Sequence, residues 1–311
     1  SGATQLKAID LPEGVTLADN AAGIFSDCAS LTSIDLPASV TQIPSLAFSG
    51  CTSLRTVTAE SPITKIGANA FQKCTALETI PDLSRVTELG ASAFYECKAL
   101  RCDVNLSSLK KLKAQVFCYT QVTVTDFCDT LESIGDWALI WATVKAELPP
   151  ALQSIGSYAF FSGNLPETLT IPDSVHTIDN NAFASAEGVK KVFIGSNLSS
   201  ISKGLFDGSS VKEITLNASK DELTGVENLP NGVNIVYLYP SISDSVGDTI
   251  SDESGAQTLQ AAIDSAPNGQ PTTITIDKNV KLRQTLRVPA GKAITLTSDQ
   301  PYTILAVKAS S

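Results

Sequence analysis

The chain has 311 residues, 43% of them hydrophobic, with 22 Lys and Arg against 32 Asp and Glu for a formal net charge of −10. That apolar content excludes disorder of the whole chain, and the acidic balance argues against nucleic acid or an anionic membrane as partner, since both are bound through clustered Lys and Arg. One His and no Met leave almost no material for a Ser-His-Asp triad or a multi-histidine metal site, and no run of about 18 apolar residues is present to span a bilayer.

The absence of even an initiator Met points to a mature or excised fragment whose signal segment has been removed. From about residue 4 to residue 217 the sequence repeats with a period of 23. Phe25, Phe48, Phe71, Phe94 and Phe117 are each 23 apart, Leu139 follows at 22 and Phe160 at 21, and Phe183 and Phe206 return to 23. A second column, Ile43, Ile66, Leu89, Leu112, Ile134, Ile155, Ile178 and Ile201, keeps the same register.

Within a unit, Ile34-Asp35-Leu36 alternates as a half-buried strand does, and Pro37 ends it by removing a ladder donor. Val40 and Ile43 bring the chain back through a second short extended segment, often closed by Gly, as at Gly67, Gly90, Gly135 and Gly156. The Ala-Phe pair that follows, as in Ala47-Phe48, predicts one short helical turn that drives a ring into the core. No unit can bury its Leu, Ile and Phe alone, so the units must stack into a solenoid.

The pattern Leu-x-x-Ile-x-Leu-Pro-x-x-Val-x-x-Ile-Gly-x-x-Ala-Phe-x-x-Cys, as in residues 31–51 and 54–74, resembles the leucine-rich repeat of BspA-like bacterial surface proteins. The resemblance implies an exported, surface-bound module for adhesion or host-protein binding, and not an enzyme. Residues 100–147 depart from the pattern, with shortened units and Leu139 in place of Phe.

Cys28, Cys51, Cys74 and Cys97 fall three residues after the repeating Phe, in a column continued by Thr120, Ala142, Gly163, Ala186 and Ser209. Every later occupant is small, which favours free, stacked thiols over a disulfide ladder, with neither catalytic. Cys102, Cys118 and Cys128 lie off the column, and a disulfide between two of them is left open. His176 stands where other units have Thr41, Thr64 and Thr87 and reads as a solvated position. No spacing fixes a pair of catalytic carboxylates, and there is no phosphate loop or metal-ligand cluster; no cofactor is expected.

Two columns of the turn change character in the middle of the repeats. One reads Leu46, Asn69, Ser92, Gln115, Trp137, Tyr158, Asn181, Gly204, and the other Gly50, Lys73, Glu96, Tyr119, Trp141, Ser162, Ser185, Gly208. Trp137, Trp141, Tyr119, Tyr158 and Phe161, with Tyr95, are therefore candidates for one exposed contact surface. The competing reading is that shortened units need large rings to fill space. The outward positions of the first strand, among them Thr56, Thr58, Lys191 and Phe193, form a second candidate face.

After Leu216 the period fails, and residues 233–240 read as a final strand that caps a solenoid domain spanning 1–240. Residues 241–255, rich in Ser, Asp and Gly, read as an acidic linker; calcium on Asp244, Asp248 and Asp252 is conceivable, but the spacing matches no defined loop. Residues 256–311 change class. Leu259, Ala262, Ile263 and Ala266 are spaced for a short helix, followed by strands at 273–276, 286–289, 294–296 and 304–307. That succession resembles the opening coils of a right-handed parallel β-helix of the pectate-lyase-like type, which would continue beyond Ser311 and whose later coils could hold an active site.

The fold expected is thus a repeat solenoid with one strand and one short helical turn per unit, followed by the start of a β-helix. The function expected is non-catalytic binding of a host or matrix protein, or of a glycan, by a monomer on the cell surface. A glycan-binding or targeting module of a polysaccharide-active protein and a structural spacer are the alternatives.

Overall fold

The computed structural model describes residues 2–17, 23–219 and 223–239, and the backbone of four further strands, 271–275, 280–282, 293–297 and 304–306. By contacts the chain divides into two compact units, Ser1–Thr215 with Leu223–Val236, and Leu216–Glu222 with Tyr237–Ser311.

The first unit is a parallel β-solenoid. Its nine coils are numbered here by the Phe column, coil 1 at Phe25 and coil 9 at Phe206, with Leu139 in coil 6. Each complete coil contributes a front strand and a two-residue rear strand. Ser33–Leu36 pairs in parallel with Thr56–Ala59, Ile34 opposite Val57. Asp103–Leu106, Thr123–Phe127 and Thr143–Val144 form the next stretch, and Thr168–Ile171 with Lys191–Ile194 begin the last. In that last sheet the neighbours continue through Glu213–Ser219 to Asn234–Tyr239, the final strand expected from the sequence.

The front sheet breaks where Pro81 removes a ladder donor; there Thr79 keeps only an isolated bridge to Thr56. Shortening of coil 5 is absorbed by a register shift between Val104 and Asn105 against Thr123–Phe127, as a bulge does. On the rear, Gln42–Ile43, Lys65–Ile66 and Glu88–Leu89 stack in register, and Lys111–Leu112, Ser133–Ile134, Ser154–Ile155 and Thr177–Ile178 form a second ladder.

Alternation does what the sequence pattern requires. Ile34 and Leu36 are buried while Ser33 and Asp35 face solvent. The Phe rings lie inside, face to face, with centroids 5.2 Å apart at Phe48–Phe71 and at Phe71–Phe94, and 5.3 Å at Phe94–Phe117. Leu139 interrupts the stack, which resumes at Phe160–Phe183, 5.0 Å.

The segment holding the Phe corrects the expectation of a helical turn. Ala47, Ser49 and Cys51 donate their N–H groups back to Pro44, Leu46 and Phe48, giving three overlapping turns. The alternate N–H groups of Leu46, Phe48 and Gly50 point to the next coil and donate to the carbonyls of Ala68, Ala70 and Gln72 at 2.8–2.9 Å. In a helix these donors would point along its own axis and not sideways to a neighbouring coil. Left-handed residues at both ends of the turn, φ 61° at Leu46 and 75° at Gly50, redirect half of them and tie coil to coil.

The second unit, among its described residues, holds the ends of the last two strands, 216–219 and 237–239, and two parallel strand pairs. Pro271–Thr275 pairs with Ala293–Thr297, and Val280–Leu282 with Ile304–Ala306. Three of these were expected, at 273–276, 294–296 and 304–307; the strand at Val280–Leu282 was not. The expected linker, its three Asp residues, the helix at 259–266 and the strand at 286–289 lie outside the described residues.

Candidate functional site

All seven cysteines are free, which answers both the ladder and the off-column pairing. The column thiols are buried and donate to backbone: Cys51 Sγ to the Phe25 carbonyl at 3.0 Å, Cys74 to Phe48 at 3.0 Å, Cys97 to Phe71 at 3.1 Å. Burial pushes the Cys51 thiol up to about 12 and holds Cys74 and Cys97 well above the ordinary thiol range. The thiolate is the nucleophile, so these groups are inert packing. A thiol reagent is expected to label Cys102 and Cys128, which are half-buried, in the folded chain, and all seven once it is unfolded without reductant; fewer than seven would overturn the assignment.

His176 is exposed, its Nδ1 3.3 Å from the Ser174 carbonyl. No group of three or more potential metal ligands occurs among the described residues, nor does a helix long and apolar enough to cross a membrane.

The outward strand face is a lattice of short-range pairs. Arg55 reaches Glu78 at 2.6 Å, Lys190 reaches Glu167 at 3.1 Å and Lys191 reaches Glu213 at 3.6 Å; the Thr58 hydroxyl donates to Asp35. Such exposed pairs contribute little stability each, and they satisfy one another's charge. Phe193 stands among them as an exposed apolar side chain.

The aromatic columns are different. In both, every occupant from coil 2 to coil 9 has a positive φ, including Trp137 (60°), Trp141 (66°), Tyr119 (61°) and Tyr158 (55°). Glycine or asparagine suits that region, and Gly23, Asn69, Asn181, Gly204, Gly50 and Gly208 supply it in other coils. A side chain other than Gly costs about 1–2 kcal/mol there, in coils 5 to 7 as at Leu46, Lys73, Ser92 and Glu96 in the coils before them.

That strain is not offset by a place in the core. Leu139 and Ile140, 0% and 1% exposed, occupy the interior of coil 6, while Trp141 beside them is 45% exposed. Trp137, Tyr119, Tyr158, Phe161 and Tyr95 are half-buried. The six rings form two runs. Tyr95, Tyr119 and Trp141 follow one another through coils 4, 5 and 6 with centroids 5.8 and 4.9 Å apart. Trp137 stacks on Tyr158 at 4.7 Å, and Tyr158 meets Phe161 edge-on at 5.6 Å. Both runs pass through coil 6, the coil without a core Phe. Burial and the Glu96 carboxylate hydrogen-bonded to it push the Tyr95 hydroxyl up, so that ring stays neutral at physiological pH.

Three comparisons bear on the chain. The model of the BspA type leucine rich repeat region matches in six copies, over residues 18–145 and 110–225, about two thirds of the chain. No curated protein matches. Among solved structures, a leucine rich cell surface protein from Faecalibacterium prausnitzii is similar at 23% identity with a TM-score of 0.42, covering 70% of this chain and 80% of its own. A leucine-rich repeat protein from Bacteroides ovatus is similar at 17% identity and 0.47, covering 91% and 78%. The pneumococcal vaccine antigen PcpA is similar at 18% identity and 0.35, covering 67% and 62%.

Proposed function

The chain belongs to the BspA-type leucine-rich repeat family, and from that premise we propose that it is a non-catalytic binding protein of the bacterial cell surface. The solenoid over residues 1–240 presents the contact surface, joined through an acidic linker at 241–255 to a second, β-rich domain at 256–311. The aromatic strip of coils 4 to 7 is the contact, with Trp137, Trp141, Tyr119, Tyr158 and Phe161 as its anchors.

One observation carries this reading: large rings, at least partly exposed, gather in two runs across coils 4 to 7, in columns that the other coils fill, Leu46 apart, with Gly or polar residues. An exposed aromatic cluster marks a contact surface, and aromatic anchors dominate binding energy where they occur.

The test is the variant Trp137→Asn with Trp141→Gly. Each substitution installs a residue the left-handed position prefers, so melting is expected to stay within a few degrees of the parent. On panels of matrix proteins and glycans, whatever ligand the parent binds is expected to be lost by at least about tenfold, or about 1.4 kcal/mol. Equal binding by parent and variant would overturn the site, and a parent silent on both panels would favour a spacer.

A further inference from the structure

We infer that the junction between coils 4 and 5 is a hinge, at which coils 2–4 tilt as one rigid block against coils 5–9. The inference goes beyond the binding reading above and stands whether or not the aromatic strip finds a ligand.

At the rear, two backbone bonds tie a coil to the one before it. Thr64 and Gly67 of coil 3 donate to the carbonyls of Thr41 and Ile43, both at 2.8 Å, and the equivalent pair recurs at coils 4, 6, 7 and 8. Coil 5 breaks the series. No such bond runs from Lys110 to Thr87 or from Lys113 to Leu89, and Lys111–Leu112 belongs to a ladder separate from the one that holds Glu88–Leu89. The front sheet is interrupted at the same junction, because Asp103–Leu106 is an edge strand whose one partner is Thr123–Phe127. At every other junction from coil 2 to coil 9, at least one of the two sides is paired.

Two residues account for the gap. Pro81 keeps residues 79–83 out of a strand, so the front of coil 5 finds no partner in coil 4. On the rear, Lys113 stands in the column where Gly67 and Gly90 allow the closest approach of backbone to backbone. Asp179 keeps its N–H on the Ile155 carbonyl at 2.9 Å, so a side chain in this column is tolerated by itself; at coil 5 it coincides with the lost front strand.

The turn side stays joined. Ser92, Phe94 and Glu96 donate to the carbonyls of Ala114, Val116 and Cys118, each at 2.9 Å, and the Phe94 ring lies parallel to Phe117 at 5.3 Å. Away from the turn, the Ser108 hydroxyl on the Ser84 carbonyl is a side-chain tie, and the core residues of the two coils, Leu83, Val86 and Leu89 with Leu106, Leu109 and Leu112, are at most 2% exposed. Apolar packing is non-directional. It holds the coils together without fixing the angle between them, whereas a ladder fixes both, so the bonded turn is the axis and the front and rear edges part.

The angle is read in the full chain without ligand. Nitroxide labels are carried on keto amino acids, which leaves the seven free thiols untouched, and are placed in pairs along one exposed rear column, replacing Thr41, Thr87, Lys110 or His176 in coils 2, 4, 5 and 8. Thr41 with Lys110 and Lys110 with His176 span equal numbers of coils, and of these two pairs the first alone crosses the junction. Its distance distribution is expected to be at least about twice as broad, while Thr41 with Thr87, inside the first block, is expected to be narrow. Lys113→Gly combined with Pro81→Val, which returns the Gly and the ladder donor, is expected to bring the broad distribution down to the width of the control.

Equal widths for the two matched pairs would overturn the hinge. A broad distribution for Thr41 with Thr87 would place the motion within the first coils and overturn it as well. Breadth that survives the double variant, in a protein that melts with its parent, would overturn Pro81 and Lys113 as the cause.

Discussion

Replacing Phe71 by Ala is expected to lower the free energy of unfolding by about 3–5 kcal/mol, measured by urea denaturation followed by far-UV circular dichroism. The ring is fully buried and lies between Phe48 and Phe94, 5.2 Å from each. Its loss removes two stacking contacts and leaves a cavity that the coil cannot close, because the N–H groups on either side are tied to neighbouring coils. Phe71 N donates to the Ala93 carbonyl and Phe48 N to the Ala70 carbonyl, both at 2.8 Å.

The damage should also spread in one dimension only. In a solenoid each coil contacts its neighbours, so amide exchange is expected to quicken in coils 2 to 4 before coils 7 to 9 respond. Leu139→Phe makes the opposite test. Coil 6 is short and Leu139 is already fully buried, so the larger ring would overpack and cost about 1–3 kcal/mol, although it completes the Phe column. A loss below about 1 kcal/mol for Phe71→Ala would mean that the stack is not the core.

The solenoid was legible because one period recurs in nine coils: the Phe, the rear Ile and the alternating front strand each stand at fixed spacing. The turn was not, because Ala-Phe in a short segment looks helical when its N–H partners lie in another coil, 22 residues away. A signal for it was nonetheless present. Gly23, Gly50, Gly204 and Gly208 stand in the two columns that later hold the Trp residues, with Asn69 and Asn181 beside them. A column that repeatedly accepts Gly and Asn marks a left-handed position. Sequence placed Trp137 and Trp141 on one turn with Leu139 in the core column between them, but it could not show that Ile140 fills the interior as well. The strand at Val280–Leu282 escaped because Val-Lys-Leu is short and has no repeat behind it to set its register.

The Gly column that closes the rear strand makes the second large prediction. An alanine Cβ at Gly90 would lie 2.2 Å from the Ala68 nitrogen, 2.4 Å from the Gly67 carbonyl carbon and 2.5 Å from the Ala68 Cα. All three are backbone atoms, so no rotamer change relieves the contact. The coils would have to part just where the Gly90 N–H donates to the Ile66 carbonyl at 2.8 Å. Gly90→Ala is therefore expected to cost about 3 kcal/mol, at the upper end for overpacking, and not the few tenths that an exposed Gly→Ala change gives or takes. The approach is not equally close along the column. At Gly135 the nearest atom is the Ala114 nitrogen at 2.7 Å, and Lys113 and Asp179 hold the same column with side chains. Gly135→Ala should accordingly cost less than Gly90→Ala under the same denaturation. Equal costs would place the penalty in backbone conformation, whereas the graded result places it in the distance between coils, the same distance that sets the spacing of the aromatic rings outside.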